Sequence, residues 1–195
     1  MEPKTLLITG FEPFGNETEN PSWEAVKALP EQIGGWKLHK LLLPVEFGRA
    51  ADLTIRAVQE IRADAVLCVG LAAGRTAVTP EVVGINVRDA SIPDNAGKKA
   101  EGESVVSGGP AAYFSTLPVR KMTETIAQAG VAGKLSYTAG TYVCNDLLYT
   151  LLHRFSGTPT RVAFVHIPLE KDLPLSDSIR ALTAAIESIE SQEHK

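Results

Sequence analysis

Arg161-Val162-Ala163-Phe164-Val165-His166-Ile167 is an apolar segment of strand length, and Pro168 follows it directly. Continuous apolar runs rich in β-branched and aromatic residues are typical of strands that are buried on both faces of a parallel sheet. Two other short runs share this character, Thr5–Thr9 and Ala65–Gly70. Together these runs predict a mostly parallel sheet with helices packed on both faces.

Segments with helical spacing alternate with the strands along the chain. Asn20 and Pro21 form a typical helix start, in which a capping side chain precedes proline at the first helical position. The alternation predicts an α/β fold, a three-layer α/β/α sandwich that forms a single domain over residues 1–195. Further strands are predicted at Trp36–Leu43 and Lys134–Thr138 and within Glu81–Val87, and helices at Pro21–Leu29, Phe47–Arg62, Leu117–Ala129, Tyr142–His153 and Ser176–Ile189.

The segment from about Arg88 to Ser115 is the least regular part of the chain, because it contains several glycines and prolines. A stretch of this length without regular structure is uncommon in a compact domain. We therefore expect it to have a functional role or to contain hairpin-like structure.

Composition excludes several classes of protein. The 195 residues carry a net charge of −4 without a Lys/Arg-rich run, so nothing indicates binding to nucleic acid or to an anionic membrane. No apolar run approaches the about 20 residues that a membrane-spanning helix needs. The start of the chain also lacks the features of an export signal, so we expect a cytoplasmic protein with free thiols at Cys68 and Cys144.

Several reactive or aromatic residues follow the predicted strands. His166 lies at the end of its strand, and Cys144 follows one short turn after another predicted strand. In open α/β sheets, binding and catalytic sites gather at the carboxyl ends of the strands. We therefore expect these two residues to lie on one edge of the sheet together with Phe11, Phe14 and Glu81.

Cys144 lies in the first turn of a predicted helix, after Gly140. The helix dipole and the N–H groups at that end favour a thiolate, so we expect them to lower the pKa of the thiol. The same N–H groups can bind the oxyanion that forms when a thiolate attacks an amide carbonyl. The alternative is that Cys144 is a small buried apolar side chain, which is how we interpret Cys68 within its strand.

His166 and Glu81 have plain structural alternatives as well. A histidine within an apolar strand must form a hydrogen bond, and a core histidine with a satisfied ring is the simpler interpretation. Glu81 taken alone is interpreted as a surface carboxylate. As members of one site, His166 is a candidate general base, and Glu81 is the candidate that fixes the orientation and tautomer of its imidazole.

The sequence contains no motif for a metal or a nucleotide cofactor. It has no H-E-x-x-H pattern, no paired cysteines, no P-loop and no G-x-G-x-x-G fingerprint. We therefore expect a reaction that uses neither a metal nor a cofactor.

Four segments of the chain form an ordered set of motifs. They are Leu7–Gly15 followed by Asn20-Pro21-Ser22, Gly70–Arg75 continuing through Thr79-Pro80-Glu81 to Asn86, Ser136–Asn145, and Phe164–Pro168. This set resembles the motifs of pyroglutamyl peptidase I, also called pyrrolidone-carboxylate peptidase. The resemblance extends over nearly the whole chain.

The resemblance implies a cysteine peptidase that hydrolyses the amide bond after an N-terminal pyroglutamyl residue through a thioester intermediate. By the same resemblance, Cys144 is the nucleophile, His166 is the base and acid, and Glu81 is the orienting carboxylate. It also implies a homo-oligomer, often a tetramer in this family, that acts on peptides with an N-terminal pyroglutamate.

The resemblance also implies a substrate pocket, in which Phe11 and Phe14 hold the pyrrolidone ring and Tyr142 and Val143 border it. Aromatic faces suit a flat, uncharged lactam, and a few backbone groups can bind its amide. The alternative for the two phenylalanines is that they anchor a loop in the core.

Two positions depart from the pattern of the family. Val82 stands where a basic residue is usual, and Ser91 stands where arginine is typical. Arg88 is a candidate to replace that arginine. Two competing hypotheses therefore remain: a thiol amidase for another small amide, and a binding protein that has kept the pocket without catalysis.

Overall fold

The computed structural model describes residues 3–15 and 18–190, except for the side chain of Glu190. The predicted domain of residues 1–195, and the chain start on which the export-signal interpretation depends, therefore extend beyond the described residues. The strands are β1 (Lys4–Phe11), β2 (Gln32–Ile33), β3 (Trp36–Leu43), β4 (Ala65–Leu71), β5 (Thr79–Pro80), β6 (Val83–Ile85), β7 (Ala112–Phe114) and β8 (Arg161–Ile167). The helices are α1 (Pro21–Ala28), α2 (Arg49–Ile61), α3 (Val119–Gln128), α4 (Val143–Arg154) and α5 (Leu175–Glu190).

A sheet of six strands forms the centre of the molecule, in the order β2-β3-β1-β4-β8-β5. The four inner strands are parallel, and the two edge strands β2 and β5 pair antiparallel with their neighbours. The mostly parallel sheet predicted from the apolar runs is confirmed. Its carboxyl edge is the place where a site is expected in such a sheet.

Helices cover both faces of the sheet. Leu6 and Ile8 of β1 pack with apolar residues of α1, α3 and α5. Leu7, between them, points to the other face and packs with α2 and α4. This arrangement confirms the three-layer sandwich. Within residues 3–15 and 18–190, no helix is long and apolar enough to cross a bilayer.

The irregular region after Arg88 contains antiparallel pairing. Its strand β7 pairs with β6 as a small second sheet, and Arg88 forms an isolated bridge with Glu103. The strand expected within Glu81–Val87 is shorter than that span, since only Val83–Ile85 are regular.

The strand predicted at Lys134–Thr138 was wrong, because this segment forms only isolated bridges with the chain beside it. Lys134 N donates to Val78 O and Ser136 N donates to Pro80 O, each at 3.0 Å. The rung of the parallel ladder between these two bonds is missing because Pro80 has no N–H to donate. The segment still lies beside the edge of the sheet and leads into α4.

Candidate active site

His166 and Glu81 are in direct contact at the carboxyl edge of the sheet. His166 is near the end of β8, and Glu81 directly follows β5, whose Thr79 is the register partner of His166. Glu81 Oε1 lies 2.7 Å from His166 Nδ1, and both side chains are buried. Because a carboxylate accepts, His166 donates its Nδ1–H and keeps Nε2 as the acceptor that a general base needs.

Arg75 contacts the same oxygen of this carboxylate. Its Nη1 donates to Glu81 Oε1 at 2.7 Å, and its Nη2 donates to Thr138 O at 3.0 Å. Glu81 Oε2 is buried and has no hydrogen-bond partner among the described residues. The sequence placed Arg75 inside a motif but gave it no role, because nothing in the spacing shows that its side chain reaches Glu81.

Cys144 is the second residue of α4, as predicted, and Tyr142 is the N-cap residue of that helix. Gly140 makes the turn into the helix with a φ of +77°, a conformation that favours glycine. The half-buried thiol therefore stands beside N–H groups that have no partner within the helix.

The Cys144 sulfur reaches the edge of the sheet near the strand that carries the imidazole. It lies 3.0 Å from the position that a Cβ atom on Gly70 would occupy. Gly70 is the register partner of His166 in the pairing of β4 with β8. The structure thus brings the predicted nucleophile, base and orienting carboxylate to one edge of the sheet.

The expected lowering of the thiol pKa is wrong for the protein without substrate. Burial, together with the charges of Glu81 and Cys68, raises the pKa of Cys144 to about 12, although the charge of Arg75 lowers it in part. The prediction considered the helix end alone and did not include the carboxylate that folds against it. Burial also lowers the pKa of His166, against the raising effect of Glu81.

These two pKa shifts define the resting state of the pair. Both shifts favour the uncharged forms at neutral pH, a thiol and a neutral imidazole, over a preformed thiolate and imidazolium pair. An uncharged thiol with a neutral base nearby requires proton transfer during the attack itself.

A cavity of about 50 Å³ lies beside Cys144, where the sequence predicted the substrate pocket. All four residues that the sequence implicated line it, and Val143 contributes a fully buried wall. Three further lining residues were not predicted for the pocket, although Val45 directly follows a strand and could have been found by that signal. The complete lining is Phe11, Phe14, Asn20, Val45, Leu71, Tyr142, Val143 and Cys144.

The loop that carries the two phenylalanines is fixed to the start of α1. Phe11 N donates to Ser22 Oγ at 3.0 Å, and Asn20 Nδ2 donates to Glu12 O at 3.0 Å. A Cβ atom on Gly10 would lie 2.8 Å from the Cα of Trp23, so only glycine allows this close approach. The N-terminal motif therefore has a mechanical explanation, since its residues hold the Phe11 backbone in place.

The helix with the nucleophile is fixed by its next residue. Asn145 is fully buried, and its Nδ2 donates to Ile85 O at 2.9 Å and to Val87 O at 3.0 Å. Its Oδ1 accepts from Ile85 N at 2.9 Å. These bonds hold the first turn of α4 against β6 and so set the position of Cys144.

Neither departure from the family pattern replaces one of the three reacting residues, although Val82 directly follows Glu81. Val82 is partly buried and packs against the apolar core, and Ser91 is exposed. Arg88 does not stand free as a replacement for an arginine at position 91, because its Nε is paired with the buried carboxylate of Asp146. Asp146 also accepts from Gly48 N at 2.8 Å, which ties α4 to the start of α2.

Among the residues that the structure describes, no group of three or more His, Cys, Asp or Glu side chains could hold a metal ion. The groups that meet at this edge are a thiol, an imidazole and a carboxylate beside a small apolar cavity. This combination performs nucleophilic attack on a carbonyl group.

Comparison with known proteins gives a consistent result. The family model described as pyroglutamyl peptidase matches residues 4–192. A pyrrolidone-carboxylate peptidase of Chromobacterium violaceum is 46% identical over 195 residues, covering 94% of this chain and 91% of that protein. One from Cupriavidus necator is 48% identical over 169 residues, covering 85% of this chain and 78% of that protein.

Solved structures give the same similarity. The pyroglutamyl peptidase I of Bacillus amyloliquefaciens superimposes with a TM-score of 0.91 at 39% identity, covering 96% of this chain and 95% of that chain. The pyrrolidone carboxyl peptidase of Thermococcus litoralis gives a TM-score of 0.90 at 34% identity, covering 95% of this chain and 93% of that chain.

Proposed function

This chain belongs to the pyroglutamyl peptidase family, and on that basis we propose that Cys144, His166 and Glu81 carry out its reaction. The protein is a cysteine peptidase that hydrolyses the amide bond after an N-terminal pyroglutamyl residue of a peptide. The observation that carries the assignment is the 2.7 Å contact between Glu81 and His166, at the edge where Cys144 borders the small cavity.

The reaction begins with attack on the pyroglutamyl carbonyl group. His166 Nε2 takes the proton from the Cys144 thiol while the sulfur forms a bond to the carbonyl carbon. The N–H groups in the first turn of α4 bind the oxyanion that develops on the carbonyl oxygen. Glu81 stabilises the imidazolium that His166 becomes, through the Nδ1–H bond.

Collapse of this intermediate releases the rest of the peptide. The imidazolium gives its proton to the leaving amine as the C–N bond breaks, which leaves a thioester on Cys144. His166 then takes a proton from water, whose oxygen attacks the thioester carbonyl. When the second intermediate breaks down, pyroglutamate leaves and the sulfur recovers its proton from the imidazolium.

The pocket suits the substrate because a pyroglutamyl group is a flat, uncharged lactam. Phe11, Phe14 and Tyr142 offer aromatic surface on which the ring can pack. A site that pairs the lactam N–H and C=O rejects proline, which lacks the ring carbonyl group and would leave those partners unsatisfied.

Hydrolysis of a fluorogenic pyroglutamyl amide tests the assignment. We expect Cys144→Ala to reduce kcat/KM by about 10⁴-fold or more, because the nucleophile is lost. Cys68→Ala is the matched control: this thiol is buried within β4 and away from the cavity lining, so activity should persist. If the unsubstituted protein is no faster than Cys144→Ala, the assignment is wrong.

The two competing hypotheses give different results in the same assay. A thiol amidase of other specificity would hydrolyse other small amides faster than the pyroglutamyl amide. A silent binding protein would bind pyroglutamate without turnover. Val82 and Ser91 motivate the second of these, and the direct contact between Glu81 and His166 weighs against it.

We also propose that the protein forms a homo-oligomer, a tetramer or another closed assembly, in the cytoplasm. Phe114 on β7 is 71% exposed and offers apolar contact surface, whereas the nearby Leu117 is 3% exposed and belongs to the core. Both cysteines are free thiols, which supports a reducing compartment. Sedimentation analysis of the native protein and of Phe114→Ser tests the assembly, and cell fractionation tests the location.

A further inference from the structure

Arg75 joins three groups at the edge of the active site. Besides its bonds to Glu81 Oε1 and Thr138 O, its Nη1 donates to the hydroxyl group of Thr79. Glu81 Oε1 is also the partner of His166 Nδ1. One carboxylate oxygen therefore connects a guanidinium group to the imidazole of the catalytic base.

The positive charge of Arg75 is important because its partner Glu81 is fully buried, whereas Arg75 itself is 28% exposed. A buried carboxylate is strongly destabilising unless a cation and hydrogen-bond donors accompany it. Among the described residues, Arg75 and His166 are the ion-pair partners of Glu81. Since His166 must be neutral to act as a base, Arg75 supplies the permanent positive charge.

We propose that Arg75 is a positioning residue of this active site, which holds Glu81 in contact with His166 and keeps the Glu81–His166 pair unprotonated in the resting enzyme. The proposal rests on the role of His166 as general base given above. It assigns two separable properties to one side chain. The planar fork of the guanidinium fixes the carboxylate, and its charge sets the proton affinity of the pair.

The direction of the charge effect follows from the groups that face His166. The charged groups that act on it are Glu81 after β5 and Arg75 in the loop after β4, and the Cys144 thiol on α4 stands at the same edge of the sheet. Glu81 raises the pKa of His166, and Arg75 lowers it. Without the guanidinium charge, the coupled pair takes up a proton at higher pH, whichever residue carries that proton. Because catalysis needs the unprotonated pair, the acid limb of kcat/KM moves to higher pH.

Two substitutions separate the charge of Arg75 from its geometry. Arg75→Gln keeps a donor for Glu81 but removes the charge, and we expect the acid limb to rise by roughly 0.5 to 1 pH unit. Arg75→Lys keeps the charge but cannot contact all three partners, so we expect an acid limb near that of the wild type and a lower kcat. In both variants kcat should fall by about tenfold or more while KM changes little.

The matched control is Arg180→Gln, which removes an equal charge from α5, where Arg180 pairs with Asp177. It should leave both the acid limb and kcat unchanged. The ¹⁵N chemical shift of the His166 ring, followed by NMR against pH without substrate, gives a second readout. It should show proton uptake at higher pH in Arg75→Gln than in the wild type.

The proposal would be overturned if Arg75→Gln and Arg75→Lys lost kcat equally while the acid limb and the His166 titration stayed unchanged. Arg75 would then have a structural role alone. Full activity in folded Arg75→Gln would overturn it as well. Arg75→Met provides a second neutral variant if thermal unfolding shows that Arg75→Gln does not fold. Failure of the proposed peptidase function would give a different result from failure of this proposal. In that case the NMR titration of Arg75→Gln would still shift as expected, but the wild type would not hydrolyse pyroglutamyl amides.

Discussion

The sulfur of Cys144 lies 3.0 Å from the point where a Cβ atom on Gly70 would stand. The same Cβ would lie 2.6 Å from Cζ of Phe164, much closer than non-bonded carbon atoms approach. Gly70 is also the register partner of His166. Glycine at this position therefore leaves the space in which the thiol stands beside the strand that carries the imidazole.

We expect Gly70→Ala to lower kcat/KM by at least about 100-fold, because the new methyl group displaces the sulfur or the Phe164 ring. Overpacking should also lower the free energy of unfolding by about 1–3 kcal/mol. Steady-state kinetics and urea unfolding of the purified variant measure the two effects.

Gly84→Ala is the control for the Gly70 substitution. A Cβ atom on Gly84 would lie 3.1 Å from Tyr149 N, a tight contact in the middle of α4 rather than at the thiol. It should lower stability while kcat/KM falls much less than in Gly70→Ala, because the new contact is at Tyr149, more than one helical turn after Cys144. If Gly84→Ala lost as much activity as Gly70→Ala, the space at the sulfur would not be the cause.

Ser22 is expected to affect substrate binding, because its Oγ accepts from the backbone N–H of Phe11 at 3.0 Å. Ser22→Ala leaves that buried N–H unpaired, so the loop of Phe11 and Phe14 should shift and KM should rise by about threefold or more. The matched control is Ser188→Ala in α5, where a buried hydroxyl donates to Ala185 O. An unchanged KM in Ser22→Ala would contradict a role of Phe11 in binding the ring.

The pH dependence of alkylation tests the resting state of the nucleophile. Because burial raises the pKa of the Cys144 thiol to about 12, its reaction with iodoacetamide should still accelerate from about pH 6 to about pH 10 without a plateau. Mass spectrometry of the labelled protein gives the rate, and Cys144→Ala gives the background. A plateau near neutral pH would indicate a preformed thiolate and imidazolium pair instead.

The fold could be predicted from sequence where burial alone determines the structure. Arg161–Ile167 and Ala65–Gly70 are apolar throughout because both faces of the inner strands are covered, and this composition is visible without coordinates. The strand predicted at Lys134–Thr138 was wrong because the pairing of this segment depends on a neighbour that is distant in sequence. That neighbour contains Pro80, which removes one rung of the ladder.

Some features of the candidate site could likewise be predicted from sequence, and others depend on tertiary structure. Cys144 and His166 could be placed because Cys144 begins a helix and His166 lies near the end of a recognisable strand, whereas Glu81 follows the short strand β5, which the sequence did not predict. The thiol pKa could not be predicted, because it depends on burial and on the charge of Glu81, which tertiary structure brings close. The contact of Arg75 with Glu81 was missed for the same reason, since it crosses a loop whose path the sequence does not specify.

Cys68 gives a prediction about stability at alkaline pH. Burial raises the pKa of this thiol from 9.0 to about 12, although the side chain of Thr9, its register partner in β1, lowers it in part. Between these pH values the folded protein holds a proton that the unfolded chain has lost. The free energy of unfolding should therefore decrease as pH rises above 9.0, by up to about 1.4 kcal/mol per pH unit for each such cysteine.

The Cys68→Ala variant isolates this effect, because alanine has no proton to lose. Urea unfolding between about pH 9 and about pH 11 measures how the free energy of unfolding falls with pH. This decrease should be smaller in Cys68→Ala than in the wild type by the contribution of one thiol. Cys144→Ala should flatten the slope by a similar amount, since the pKa of that thiol is also raised to about 12. Tyrosines and lysines titrate in both wild type and variants, so their contribution cancels in the comparison. If the free energy of unfolding fell equally with pH in the wild type and in Cys68→Ala, the pKa of Cys68 would not be raised by burial. Water would then reach this thiol, and β4 would be less buried than an inner strand of the sheet should be.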